Sequence, residues 1–218
     1  GMADKIMAPV NTSAEVIRIG DKDSSDLYKN SSMPRGYVFM AIYKQFDEQV
    51  DNFKSLFECM GYEVPKLHIN MDHRETQRAI QKFKNKPELK VVDSCIVIIM
   101  SDSGHKEFFE TYDGKKILTD DIVNGFNNEN CPVLMGKPKI FIFDCYRANI
   151  SVPSVDLSMP QTANENNQIV GNETVKTDGT KTDILIIYSK ASDIIGIVRN
   201  IFLKYAREME IEELIRKV

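Results

Sequence analysis

Asp93-Ser-Cys-Ile-Val-Ile-Ile-Met-Ser101 decides the fold. Cys95 to Met100 is wholly apolar, short, and rich in β-branched side chains. A run of that length without alternation reads as a strand covered on both faces. Working outward, Lys139 to Phe143 and Ile184 to Tyr188 have the same character, Gly36 to Tyr43 is a further apolar run, and Tyr62 to Ile69 is strand-like.

Helical spacing fills the intervals. Val50, Phe53, Leu56, Phe57 and Met60 recur at i, i+3, i+4 and i+7, and Gly61 stands where a C-terminal glycine closes a helix. Asp72 can cap a helix through Lys84, and Thr119 or Asp120 one that carries Ile122, Val123 and Phe126. Ile194, Ile197, Val198, Ile201, Phe202 and Tyr205 mark another helix, and Ile211, Leu214, Ile215 and Val218 a last one. Strand and helix in alternation predict an α/β sandwich of three layers, a mostly parallel sheet with helices on both faces.

The rest of the composition narrows the class. The chain has 218 residues and 42% hydrophobic ones, enough for one domain or one domain with a tail. The balance of 28 Lys+Arg against 32 Asp+Glu gives a net charge of −4, which argues against nucleic acid or an anionic membrane as partner. No apolar run reaches the ~18 residues of a membrane span, so a soluble, cytoplasmic protein is expected. Cys59, Cys95, Cys131 and Cys145 have no C-x-x-C spacing, and His68, His73 and His105 have no ligand spacing to them. Reduced thiols without a metal or other cofactor fit that pattern. Gly1 ahead of Met2 reads as a residue left by cloning.

Two stretches break the alternation. Residues 1–32 carry no sustained periodicity and are expected to be a flexible leader. Residues 148–182, rich in Asn, Thr, Ser, Val and Pro, are expected to be a linker.

The polar turn Asp102-Ser-Gly-His105, then Thr111-Tyr-Asp-Gly-Lys115, Phe126-Asn-Asn-Glu-Asn-Cys131, Gly136-Lys-Pro-Lys139 and Ile140-Phe-Ile-Phe-Asp-Cys-Tyr-Arg147 follow the first strand in order. Here the chain resembles the caspase family, aspartate-specific cysteine proteases of apoptosis. That family has Ser-His-Gly, a Thr-Asp-Gly-Lys type turn, Phe-Asn-x-x-x-Cys, Gly-Lys-Pro-Lys and a strand ending Gln-Ala-Cys-Arg-Gly. The resemblance implies a caspase-like fold with about five strands, a large-subunit-like region at 33–147, an inter-subunit-like linker at 148–182, and a truncated small-subunit-like region at 183–218.

The same resemblance implies that the chemistry is gone. Caspases use a Cys nucleophile with a His about 40–50 residues earlier. Counting from Lys139, the Cys position is Tyr146, and Arg147 matches the family's Arg. Asp144 stands in the Gln position, and the His position falls on Asp102, or on Ser103 if the loop has one extra residue. A tyrosine hydroxyl with pKa near ~10 and no adjacent base is not an acyl-transfer nucleophile at neutral pH. The arginines that hold a substrate aspartate are missing, since Lys44-Gln-Phe-Asp-Glu48 has none and the loop after Ile184 to Ser189 is deleted. A rescue reading pairs Cys145 with His105 as a residual cysteine endopeptidase. It needs two compensating slips of register, because successive strand residues face opposite ways. The blander reading of Cys145 is a buried thiol, with Cys59, Cys95 and Cys131 in or near the core. His68 and His73 read as surface or helix-start residues.

Three further expectations follow. Val175-Lys-Thr-Asp178 before Gly179 resembles a caspase cleavage site, with processing after Asp178 and a substrate or scaffold role. Ala3-Asp-Lys-Ile6 loosely matches the Ala-started tetrapeptides that caspase inhibitors bind. The chain ends at Arg216-Lys-Val218, where the family has one more strand, at its dimer axis. Its absence argues against the family's homodimer and leaves an exposed edge for a partner. The resemblance therefore implies a non-catalytic decoy that regulates an active paralogous caspase by binding it or an inhibitor-of-apoptosis-type protein.

Overall fold

The computed structural model describes residues 14–19, 32–43, 49–145, 173–176, 183–189, 195–196 and 198–200. In chain order the strands are β1 (Ala14–Ile19), β2 (Gly36–Tyr43), β3 (Tyr62–Glu63), β4 (Leu67–Ile69), β5 (Ser94–Ser101), β6 (Gly104–His105), β7 (Phe108–Glu110), β8 (Lys116–Leu118), β9 (Lys139–Asp144), β10 (Glu173–Lys176) and β11 (Ile184–Ser189). The helices are α1 (Gln49–Cys59), α2 (His73–Lys84) and α3 (Thr119–Asn124), with 3-10 turns at Pro87–Lys90 and Pro132–Leu134.

The main sheet runs β10-β1-β11-β9-β5-β2-β3, with β4 also on β2. β3 and β4 occupy one position, because they pair with successive parts of β2. That gives five parallel positions, as the sequence predicts. The strand-like stretch from Tyr62 to Ile69 is split at Val64-Pro-Lys66, since proline cannot donate to a ladder.

Every residue of β2, β5 and β11 is buried, because the period-2 alternation feeds two cores. Tyr37, Phe39, Ala41, Val97, Ile99, Phe141 and Phe143 pack on one face with Ile80 and Phe83 of α2 and Ile122 and Val123 of α3. Val38, Met40, Ile42, Ile96, Ile98 and Ile142 face Val50, Phe53 and Phe57 of α1, with Ile195 and Val198. Each side chain fully buried this way contributes about 1.5–3 kcal/mol.

Asp72 caps α2 as expected, its carboxylate accepting from the Glu75 N–H at 2.8 Å while Glu75 returns to the Asp72 N–H at 2.9 Å. Gly61 closes α1 with φ +87°. The α3 expectation is corrected: Thr119 is already helical, and its hydroxyl donates to the Lys106 carbonyl at 2.8 Å instead of capping. One histidine and one thiol also differ. Cys59 is exposed at the end of α1, whereas Cys95, Cys131 and Cys145 are buried. His73 opens α2, but the His68 ring stacks on Phe39 at 5.0 Å.

The largest departures are at the β11 edge. Residues 14–19, within the expected flexible leader, form a strand antiparallel to β11 in full register, Ala14 opposite Ser189 and Ile19 opposite Ile184. Residues 173–176, within the expected linker, pair in parallel with β1. Ile17 and Ile19 are 5% and 7% exposed, so this edge is sealed by apolar burial. The expected bare edge on β11 is therefore covered, by β1 and then β10. The terminal-helix expectations beyond residue 200, and the rest of the leader and linker, lie outside the described residues.

Candidate functional site

β2, β5, β9 and β11 all end on one side, and the candidate positions Asp102, Ser103, Asp144 and Cys145 gather there. Ser101 ends β5, Asp144 ends β9 with Cys145 directly after it, and Ser189 ends β11. The sheet β6-β7-β8 lies over this end. The expected polar turn after Ser101 thus becomes the first strand of a hairpin.

Gly104 makes that approach possible. A Cβ there would sit 2.7 Å from the Phe108 carbonyl, 2.9 Å from Phe109 Cα and 3.1 Å from the Cys145 carbonyl. Only glycine lets the hairpin lie this close to the end of β9. Ser101 Oγ donates to the Ser103 carbonyl at 2.8 Å, and Ser103 Oγ to Glu110 at 2.6 Å, so both hydroxyls are used in closing the hairpin.

Cys145 lies beneath it, 2% exposed, on the face carrying Phe141 and Phe143. Its Sγ is 3.8 Å from the Ile99 carbonyl. Burial pushes its thiol pKa far up, and the neighbouring Asp144 carboxylate pushes the same way. Such a thiol holds its proton at neutral pH, where nucleophilic attack needs the thiolate. His105 faces outward, its ring stacked on Phe108 at 6.1 Å and its Nδ1 accepting from the Glu107 N–H at 3.4 Å. Among the described residues no hydrogen bond joins His105 to Cys145. Asp102 Oδ1 is buried without a hydrogen-bond partner among the described residues. Tyr146, Arg147, Asp178 and Lys44 to Glu48 lie outside the described residues.

The motifs that carry no chemistry have clear structural work. Thr111 Oγ donates to Asp113 Oδ1 at 2.6 Å, and Asp113 accepts the His73 N–H at 3.1 Å, joining the turn to the start of α2. Gly114 takes φ +75° in that turn. The Thr111 hydrogen bond, then that of the His73 backbone, holds the Asp113 carboxyl below its ordinary range. Lys137 Nζ donates to the Leu89 and Lys90 carbonyls at 2.9 and 3.0 Å. Buried Lys139 donates to the Leu134 and Lys137 carbonyls at 2.9 and 2.8 Å. Gly136-Lys-Pro-Lys139 thus closes the ends of two 3-10 turns.

One contact at this end carried no sequence signal. Lys106, at the hairpin tip, pairs with Glu15 of β1 at 2.7 Å and sits 5.3 Å from the Tyr188 ring. The partners are 91 residues apart, beyond any local pattern.

Among the described residues no group of His, Cys, Asp or Glu could hold a metal ion, and no helix is long and apolar enough to cross a membrane.

Known proteins resemble this chain in the same region. The family model described as the caspase domain matches residues 40–195. The Gallus gallus protein named Caspase-2 is 30% identical over 141 residues, 59% of this chain and 33% of the relative. The Homo sapiens protein named Inactive caspase-12 is 31% identical over 139 residues, 58% of this chain and 40% of the relative. The chain thus spans well under half the length of these relatives. The solved structure titled pro-sf-caspase-1 shares the fold, with TM-score 0.56 at 18% identity over 80% of this chain and 67% of that one. A sandwich with five parallel strand positions, the ordered motifs, and a domain match across most of the described residues agree: the chain belongs to the caspase-domain family.

Proposed function

We propose that this chain is a non-catalytic caspase homologue, a cytoplasmic decoy that regulates an active caspase in apoptosis by binding that caspase or its inhibitor. The observation that carries the reading is Cys145. The thiol nearest the expected nucleophile is sealed under the Gly104 hairpin, hydrogen-bonded toward a backbone carbonyl, with its pKa raised by burial. Gly104 fills the close-packing role at the hairpin, which favours Ser103 over Asp102 as the residue in the His position. The Ser103 hydroxyl is already committed to Glu110. Neither residue supplies an imidazole, and Tyr146 supplies no thiol. The resemblance to Inactive caspase-12 is in keeping with this reading.

The test is a mixing assay. The chain is titrated into an active paralogous caspase, with and without an inhibitor-of-apoptosis-type protein, while cleavage of a fluorogenic Asp substrate is followed. The chain alone should be silent, and a dose-dependent change in the caspase rate fixes the sign of regulation. Turnover by the chain alone, lost in Cys145→Ala, would restore the Cys145/His105 peptidase. Specific cutting by the caspase, abolished in Asp178→Ala with no change in caspase rate, would favour the substrate role instead.

A further inference from the structure

The edge of the main sheet opposite β10 is formed by β3 and β4, and among the described residues no strand pairs with the outer side of either. In a parallel ladder, alternate residues direct both of their main-chain groups to the same neighbour. The Asn70 N–H donates to the Ile42 carbonyl at 2.8 Å, so Asn70 and His68 face β2. Leu67 and Ile69 therefore turn their N–H and C=O groups outward. Such an edge is a template for one more strand.

The side chains of β4 divide between the two faces of the sheet. Leu67 packs with the α1 core, and Ile69, on the same face, is 48% exposed. On the α2 face His68 stacks on Phe39, with Lys66 two residues before it. Lys84 of α2 reaches away from β4, donating to the Gly125 carbonyl at 3.2 Å, and helical spacing puts Lys82 on the opposite side, toward β4. Burial lowers the His68 pKa, and Lys66 and then Lys82 lower it further, so both cations act on this ring. Just past α2, Lys86 lies 5.3 Å over the Tyr37 ring of β2.

These cations are not neutralised locally. Residues 62–90 carry seven Lys and Arg against four Asp and Glu, in a chain whose net charge is −4. Asp72 and Glu75 are occupied in capping α2, and Glu63 meets the Tyr37 hydroxyl. Among the described residues Lys66, Arg78, Lys82 and Lys86 have no carboxylate at ion-pair distance.

We propose that the outer edge of β4 is a docking site for an extended segment of another protein, carrying acidic and apolar residues in alternation, which joins the sheet as a strand beside β4. Its main chain pairs with Leu67 and Ile69. Its acidic side chains fall on the α2 face beside Lys66 and Lys82, and its apolar ones cover Ile69 on the other. The outward main-chain groups select a polypeptide over a nucleic acid, whose phosphates cannot donate to the free carbonyls and would leave Ile69 uncovered.

The probe is a fluorescein-labelled peptide, Glu-Val-Glu-Val-Glu-Val, titrated into the full chain and followed by anisotropy, with amide exchange of the chain measured in parallel. The expected result is saturable binding that slows exchange at Leu67 and Ile69 and weakens about tenfold or more in the double variant Lys66→Glu, Lys82→Glu. Both lysines are exposed, and an unchanged urea transition checks that the variant folds. Two further peptides leave the protein untouched. A reordered Glu-Glu-Glu-Val-Val-Val and an N-methylated copy of the first should each bind at least about tenfold more weakly. No saturable binding up to about 1 mM peptide, or equal binding of all three peptides, would overturn the proposal. Tighter binding of a single-stranded oligonucleotide or of anionic vesicles at these lysines would also overturn it.

Discussion

The two ends of the parallel sheet carry motifs of the same family and differ in what those motifs do. At the entering end, polar groups are pinned. The Ser94 hydroxyl meets Tyr62 at 2.8 Å and the Arg35 carbonyl at 3.3 Å, Ser32 and Asp93 exchange hydrogen bonds, and Lys137 and Lys139 close the 3-10 turns. At the exit end, Asp102 Oδ1 is buried without a partner among the described residues, a thiol is sealed away, and His105 faces solvent. At the entering end the motif side chains make the contacts, while at the exit end the close approach is made by backbone, chiefly at Gly104. Fold and activity have separable physical requirements.

Paired substitutions sharpen that contrast. Gly36→Ala and Gly104→Ala come first. At Gly36 the new Cβ would lie 2.2 Å from the Ser94 carbonyl, where β2 is paired on one side with β5 and on the other with β3, so neither backbone can move. A loss of about 4 kcal/mol or more is expected, enough to abolish cooperative unfolding in urea. At Gly104 the hairpin can lift from the sheet end, so a loss of about 1–3 kcal/mol is expected, with faster hydrogen exchange confined to residues 101–111. Equal losses would break the comparison.

Lys139→Met comes next. It keeps the buried stem but strips the donors from two carbonyls, and the unfolding free energy from urea titration should fall by about 2–3 kcal/mol. At the opposite end Asp102→Ala removes a buried oxygen that has no partner among the described residues, and the same measurement should show a change within about 1 kcal/mol, in the stabilising direction.

The smallest effect is a pH dependence. The His68 pKa is lowered, first by burial and then by Lys66 and Lys82. The fold favours the neutral ring, so this contribution is full above the unfolded value of about 6.5 and is lost as pH falls through the depressed folded value. Wild-type urea midpoints should drop between about pH 7.5 and pH 5, and His68→Phe, which keeps the stacking on Phe39, should show a smaller drop.

The sequence makes the central layers legible because buried parallel strands read as unbroken apolar runs and α1 and α2 carry periodic faces with end signals. β1 is not legible. Glu15-Val-Ile-Arg-Ile19 offers two inward apolar positions, too few for periodicity, and β1 becomes a strand only because β11 presents an edge. β10 depends in turn on β1. For the site, Asp102, Ser103, Asp144 and Cys145 are candidate positions that the proposed reading places by counting along motifs, and only that counting was legible. Their surroundings were not: the Ser103–Glu110 bond and the Lys106–Glu15 pair depend on how the hairpin lies over the sheet, a tertiary property. Cys59 differs in kind: it lies off the Val50, Phe53 and Phe57 face of α1, and the exposure follows from that helical spacing.

The central claim rests on the state of Cys145, and its reactivity tests that most directly. The native chain is incubated with a peptidyl acyloxymethyl ketone bearing Asp at the reactive end, and separately with a small maleimide, and its intact mass is followed. The account predicts no addition by the ketone and maleimide addition at exposed Cys59, with Cys145 labelled only after unfolding. Stoichiometric addition of the ketone mapped to Cys145 in the folded chain would contradict it.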